Sequence, residues 1–131
     1  MTTPTVDQTV SPLADARSEL AASLEADTGY TCHEQYTEAF ATPCYMLTGN
    51  GHTGIRNGIC LYTVRVYSLF GPRTEAPGQV EELGRLAAVA CADFGARVET
   101  VPAPGVFTVG DREYAGVQFD AEIPIENLRS I

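Results

Sequence analysis

Residues 59 to 70, ICLYTVRVYSLF, constrain the fold more than any other part of the chain. The segment is rich in β-branched and aromatic residues, which favour strands. Because successive side chains of a strand point to opposite faces, apolar residues fall on both faces of this one. One face carries Cys60, Tyr62, Val64, Val66 and Phe70, and the other carries Ile59, Leu61, Tyr67 and Leu69. Such a strand lies in the middle of a sheet or is covered by a partner, so the chain is predicted to contain a sheet built around it.

The first helix is predicted to begin after Ser11, because serine is a favourable N-cap and Pro12 suits the first helical turn. It is expected to end at Gly29, since glycine commonly follows the last helical turn. Between these points apolar residues recur at helical spacing, at Leu13, Ala16, Leu20 and Leu24.

A second helix is predicted to begin at Pro77 and to stop at Gly95, on the same kinds of signal. Its apolar stripe consists of Val80, Leu83, Ala87, Ala90, Cys91 and Phe94. Gly84 lies inside this helix, where glycine costs about 1 kcal/mol relative to alanine. Together with the neighbouring alanines, this glycine indicates that the helix lies very close to the sheet.

Five further segments have a strand-like composition and are bounded by turn residues. They are residues 30–34, 40–48, 96–101, 106–109 and 112–125, the last two joined by a Gly110-Asp111 turn. In the final strand, apolar residues at 115, 117, 119, 121, 123 and 125 alternate with Tyr114, Gln118, Asp120 and Glu122. The order of helix, strands, helix and strands predicts an α+β fold, a mostly antiparallel sheet with two helices packed on one face.

The chain has 131 residues, the size of one ordinary domain, and its 44% hydrophobic and 19% charged residues are typical of globular proteins. Residues 1–10 are rich in threonine and proline, so we predict a flexible N-terminal arm followed by a single α+β domain over residues 11–131. The arm has neither the basic start nor the apolar run of a signal peptide, and no segment is apolar enough to span a bilayer. We therefore expect a protein made in the cytoplasm that makes no contact with membranes.

The formal net charge is −9, with eight arginines and no lysine. Nucleic-acid affinity depends largely on clustered basic side chains that displace counterions from phosphates. This charge balance therefore argues against specific nucleic-acid binding.

Residues 49–54, GNGHTG, match the letters of the dinucleotide-binding fingerprint. That fingerprint requires a following helix, whose N-terminus faces the pyrophosphate, whereas a strand follows here. Nucleotide binding is therefore not expected, and residues 49–58 are predicted to form a long flexible hairpin loop. The residues of this loop expected to contact a neighbouring subunit are Gly49, Asn50, Gly51, His52 and Arg56.

Soft metal ligands are few and poorly spaced, the candidates being Cys32, His33, Cys44 and His52. Zinc sites use closely spaced ligand pairs, and adjacent Cys32 and His33 would point to opposite sides of a strand. No C-x-x-C pair is present, so Cys32, Cys44, Cys60 and Cys91 are interpreted as reduced thiols in or near the core. No nucleophile elbow or other catalytic signature is present either, and we expect no cofactor and no enzyme activity.

The polar positions of the final strand, Gln118, Asp120 and Glu122, form an acidic set that Glu99 and Glu113 could join. One interpretation is the solvent face of a sheet whose other face is core. The other is the lining of a passage through which a polyanion moves without sticking, because like charges repel.

In the order of its elements the chain resembles the tail terminator, or tail-completion, proteins of siphophages. The resemblance covers nearly the whole chain after Val10. It includes the capped N-terminal helix, a proline-containing strand (TPCYML), and a loop leading into the strand ICLYTVRVYSLF. It continues with the helix PGQVEELGRLAAVACADFG and a C-terminal hairpin ending in REYAGVQFDAEIPI.

This resemblance implies a structural role in the virion, at the head-proximal end of the tail. Members of the family form a hexameric ring on the last ring of the tail tube, stop its polymerisation and dock to the head connector, and genome DNA passes through the channel. The implied partners are other copies of the chain, the major tail tube protein and the head-tail connector protein. The family supplies no catalytic residues. Gln118, Asp120 and Glu122 would then face the channel or another subunit.

Two other functions fit the same sequence. A head-completion or connector protein of this size would also form rings, and the position of its gene beside the major tail protein gene would separate the two. A small cytoplasmic α+β domain that binds a ligand would instead be a monomer or dimer with a concave apolar pocket. The number of subunits distinguishes that domain from both ring-forming proteins.

Overall fold

A computed structural model describes residues 11–34, 40–71, 77–126 and 128. The elements, in chain order, are α1 (Pro12–Thr28), β1 (Cys32–His33), β2 (Cys44–His52), β3 (Cys60–Gly71), α2 (Pro77–Phe94), β4 (Gly105–Val109) and β5 (Arg112–Ile125). Two helices and one mostly antiparallel sheet confirm the predicted α+β fold. The predicted N-terminal arm, residues 1–10, lies outside the described residues.

The five strands form one sheet in the order β1-β2-β3-β5-β4. Only β1 and β2 run parallel; the other pairs are antiparallel. The strand that is apolar on both faces, β3, lies at the centre as predicted. It pairs with β5 from Cys60 opposite Ile125 to Gly71 opposite Ala115, so these two long strands form the centre of the sheet.

Both helices pack on one face of the sheet, where the main core lies. Helix residues Leu20, Leu24 and Cys91 are fully buried there. The strands contribute alternate residues to the same core, among them Tyr45, Leu47, Val64, Val66, Val117, Phe119 and Ala121. This alternation confirms the faces that were predicted for β3 and β5.

The ends of the helices follow the sequence signals. The Ser11 hydroxyl accepts a hydrogen bond from the Ala14 backbone N–H at 3.4 Å, and Gly29 adopts the left-handed conformation with φ 79°. The second helix begins at Pro77, and Gly95 follows it with φ 106°.

A smaller apolar cluster lies on the opposite face, at one end of the sheet. Its buried members are Phe40, Cys44, Met46, Leu69, Val109 and Tyr114. Tyr114, predicted among the polar positions of β5, is thus buried, and its hydroxyl accepts a hydrogen bond from the Phe40 backbone N–H at 3.4 Å. The polar part of this face therefore begins only at Gln118.

The predicted long loop over residues 49–58 is wrong. Strand β2 continues to His52, because β3 is long enough to pair with it as far as Tyr62, with a bulge between Gly49 and His52. The hairpin then closes between Arg56 and Ile59. The two residues between them, Asn57 and Gly58, have φ values of 55° and 76°, as a type I′ turn requires. The Asn-Gly dipeptide was the sequence signal for this tight turn.

The predicted strand over residues 96–101 is also wrong. Only Arg97 pairs with the sheet, exchanging two backbone hydrogen bonds of 2.8 and 2.9 Å with Glu122. The chain then leaves β5 through Pro102 and Pro104, which have no N–H to donate to a ladder. The following strand starts at Gly105.

Candidate functional site

The three polar residues selected in β5 come together on the side of the sheet that the helices leave open. Pairing with β3 places Glu122 opposite Thr63, Asp120 opposite Arg65 and Gln118 opposite Tyr67. Their neighbours in sequence point into the main core, so these side chains point away from it. We call the surface formed by Thr63, Arg65, Gln118, Asp120 and Glu122, together with Arg97 and Glu99 of the segment that pairs beside Glu122, the helix-free face.

An ion pair crosses the helix-free face between the two central strands. The Arg65 Nε donates to Asp120 Oδ1 at 3.1 Å. This hydrogen bond raises the pKa of the Arg65 guanidinium above its ordinary value. Both side chains are partly exposed, so the pair contributes little stability. The Arg65 guanidinium is nevertheless paired with a carboxylate.

A second ion pair lies at the edge of the same surface. The backbone pairing of Arg97 with Glu122 brings the segment after α2 alongside β5. The Arg97 guanidinium donates to the Glu99 carboxylate. Glu99, Gln118, Asp120 and Glu122 then line an open cavity of about 380 Å³.

The charge of this surface differs from the sequence-based expectation. Glu99 joins the acidic set, whereas Glu113 pairs with Thr108 next to Tyr114 and so points to the other side of the sheet. The surface holds three carboxylates and two guanidiniums, a formal sum of −1. Neither arginine was among the site residues predicted from the sequence. Arg65 could have been found from the alternation of β3, while Arg97 depended on an unpredicted pairing.

The residues chosen in the predicted loop lie elsewhere, on the β2–β3 hairpin. Gly49, Asn50, Gly51, His52 and Arg56 are all exposed. Strand β3 separates β2 from β5, so these residues do not join the helix-free face. The hairpin and the helix-free face are two separate candidate surfaces.

Gly49 has a role within the chain itself. A Cβ atom at this position would come within 2.5 Å of the Tyr62 hydroxyl. That hydroxyl accepts a hydrogen bond from Arg17 Nη1 at 2.9 Å, which links α1 to the sheet. The glycine therefore makes room for this link.

The soft metal ligands are dispersed. Cys32 lies in the main core, while the His33 ring packs edge-on against Phe40 with centroids 5.0 Å apart. Cys44 belongs to the smaller cluster, and His52 Nδ1 lies 2.7 Å from the Thr53 carbonyl oxygen. Within residues 11–34, 40–71, 77–126 and 128, no group of three His, Cys, Asp or Glu side chains could hold a metal ion.

The cysteines are buried, free thiols. Burial raises the pKa of Cys44 to about 11 and that of Cys91 to about 12. Burial and, to a smaller extent, the nearby carboxylate of Glu25 also raise the pKa of Cys32. A thiol must ionise to act as a nucleophile, so burial and a raised pKa make these three thiols poor candidates for a nucleophile at neutral pH.

Comparisons with known proteins give no family for this chain: no family model matches the sequence, and no curated protein matches it. Neither of the two described helices has the length and apolar character needed to cross a membrane.

Proposed function

We propose that the chain is a structural virion protein that forms a hexameric ring at the head-proximal end of a long phage tail. In this role it ends polymerisation of the tail tube and joins the tail to the head connector, with DNA passing through the lumen. The observation that carries the proposal is the helix-free face, which we assign to the lumen. Its two arginines are each held by a carboxylate.

A channel for DNA must let phosphates pass without binding them. Proteins hold DNA chiefly through lysine and arginine side chains that displace condensed counterions. On the helix-free face, Asp120 forms an ion pair with Arg65 and Glu99 forms one with Arg97. Glu122 adds a further negative charge. With a net charge of −9 for the whole chain, such a lining repels DNA weakly and does not trap it.

A non-enzymatic role belongs to the same proposal. The buried thiols with raised pKa values are poor nucleophiles, and the carboxylates of the helix-free face are engaged with arginines or exposed to water. The exposed residues of the β2–β3 hairpin are proposed to contact other subunits and not to take part in catalysis. The proposed partners are other copies of the chain, the major tail tube protein and the head-tail connector protein.

Deletion of the gene from the encoding phage tests the proposal. A terminator is needed to stop the tube, so lysates should contain tails of variable and excessive length together with filled heads that lack tails. Supplying the wild-type chain from a plasmid should restore tails of one length. Tails of uniform length that stay unattached to heads would indicate a connector protein instead. Normal virions would contradict any role in assembly and would favour the small binding domain.

A further inference from the structure

Strongly exposed large apolar side chains occur in two separate places on the described chain. Ile55 and Ile59 lie at the end of the β2–β3 hairpin and are 56% and 47% exposed. Val89, Val101 and Val106, which are 46%, 42% and 49% exposed, lie beside α2 and β4. Single exposed apolar residues are normal on protein surfaces, but groups of them mark sites of interaction.

Val89 and Val101 of the second group line a groove between α2 and the segment that precedes β4. Ala88 and Val89 form its helical wall, Val101 and Pro102 form the opposite wall, and its volume is about 390 Å³. We call it the α2 groove. Its lining is mostly apolar, and Glu81, Glu82 and Arg85 of α2 add charged side chains.

One carboxylate of the α2 groove has no ion-pair partner among the described residues. Glu82 is held by Arg85, whose Nε donates to it at 2.8 Å. The adjacent Glu81 is exposed and makes no ion pair with any described residue. The α2 groove therefore combines apolar walls with the Glu81 carboxylate, which is unpaired among the described residues.

The hairpin tip has the complementary chemistry. Arg56 is exposed and, within the described part of the chain, has no carboxylate partner. It pairs with Ile59 across the turn, so the two side chains share one side of the tip. The Leu128 backbone N–H donates to the Gly58 carbonyl at 2.8 Å and supports the turn. The tip thus presents a positive and an apolar side chain next to each other.

We propose that the hairpin tip of one copy docks in the α2 groove of the next copy. Ile59 packs against Val89 and Val101, and the Arg56 guanidinium approaches Glu81. The proposal rests on the proposed function, because it supplies the contact between subunits of the ring. The two surfaces are unlike, so the interface is heterologous: each copy uses its tip once and its groove once, and the series closes as a ring.

Charge exchange tests the contact. Arg56→Glu and Glu81→Arg should each raise the concentration needed for assembly about tenfold or more, because like charges would meet at the interface. The double variant Arg56→Glu/Glu81→Arg should recover most of the loss. Arg112→Glu is a matched control, since Arg112 is also exposed and lies outside the α2 groove. Analytical ultracentrifugation reads out the oligomer in each case.

Site-directed cross-linking locates the contact independently. Mixing the variants Ile59→Cys and Val101→Cys under mild oxidation should give a covalent dimer, and the double variant should give a ladder of larger species. Ile59→Cys mixed with Asp111→Cys should give no covalent dimer. Asp111 is an exposed turn residue just before β5, at the end of that strand far from the hairpin tip. Rings without the cross-link and without the charge-exchange effect would overturn this contact but leave the proposed function standing. Normal tails after gene deletion, together with a successful cross-link, would overturn the function but leave the contact.

Discussion

Gly84 of α2 lies so close to Val117 of β5 that a Cβ atom at position 84 would come within 2.9 Å of the Val117 Cβ. Both Cγ atoms of Val117 would also be within 3.1 Å of it. The helix can therefore rest directly on the sheet only because residue 84 has no side chain. The cost of glycine in a helix is offset by this close packing.

Gly84→Ala should destabilise the protein even though alanine is the better helix former. The gain in helix propensity is about 1 kcal/mol, whereas overpacking a core typically costs about 1–3 kcal/mol. The free energy of unfolding from urea titration should therefore fall by about 1 kcal/mol. Gly78→Ala is the control, because a Cβ there meets nothing within 4 Å. An increase in stability for Gly84→Ala would show that α2 and β5 leave room for a methyl group at position 84.

Ser68→Ala should leave stability unchanged or raise it by up to about 1 kcal/mol. The Ser68 hydroxyl is fully buried and has no hydrogen-bond partner among the described residues, and a buried unpaired hydroxyl is unfavourable. Tyr45→Phe offers the contrast, since the Tyr45 hydroxyl donates to the Leu83 carbonyl at 2.8 Å. That variant should lose about 1 kcal/mol in the same urea titration. A clear loss of stability for Ser68→Ala would show that the Ser68 hydroxyl makes a hydrogen bond in the folded protein and would contradict this prediction.

The native protein should resist thiol reagents. All four cysteines are buried, and burial raises the pKa of Cys44 and Cys91 to about 11 and about 12. Ellman's reagent at pH 8 should react with four thiols in denaturant and with almost none in the folded protein. Rapid reaction of a native thiol would contradict the packing of the core.

The same thiols predict a loss of stability in alkali. Their pKa is higher in the folded state than the ordinary value of 9.0, so the unfolded chain releases these protons first. The contribution to stability is complete below pH 9 and is lost as the pH rises toward 11 and 12. Thermal unfolding followed between pH 8 and 11 should show a falling midpoint. Cys91→Ala in parallel should flatten the decline, and an unchanged midpoint in the wild type would contradict it.

Asp120→Ala should increase binding to duplex DNA. Removing the carboxylate frees Arg65, and one additional phosphate contact steepens the dependence of log K on log salt by about 1. Fluorescence anisotropy with a labelled duplex at several salt concentrations measures this change. Glu19→Ala on α1 removes an exposed carboxylate that makes no described ion pair, and it should have little effect. Equal binding by both variants would remove Arg65 and Asp120 from the proposed lumen.

Most of the fold could be predicted because its signals are local. Ser11, Pro12, Gly29 and Gly95 mark helix ends, and the alternation of β3 identified the central strand. The errors came where pairing decides the structure. The glycines among residues 49–52 favour a loop by composition. These residues are nevertheless part of β2, because β3 is long enough to pair with them. The single pair between Arg97 and Glu122 depends on where the chain passes after α2.

The candidate site was predicted only in part, for a similar reason. Alternation in β5 was enough to bring Gln118, Asp120 and Glu122 to one side of the sheet. The partners that change their charge come from β3 and from the segment after α2, so their positions depend on register. The α2 groove combines Val89 of the helix with Val101 of the segment before β4, and these residues share no local pattern.

The number of subunits in the purified protein tests the proposed hexameric ring directly. Light scattering over a range of concentrations, with negative-stain imaging of the same samples, gives both mass and shape. If the chain closes the tail tube as proposed, six copies of the 14.0 kDa chain should form a closed ring with a central hole. A compact dimer without a hole would contradict it and would favour a small binding domain.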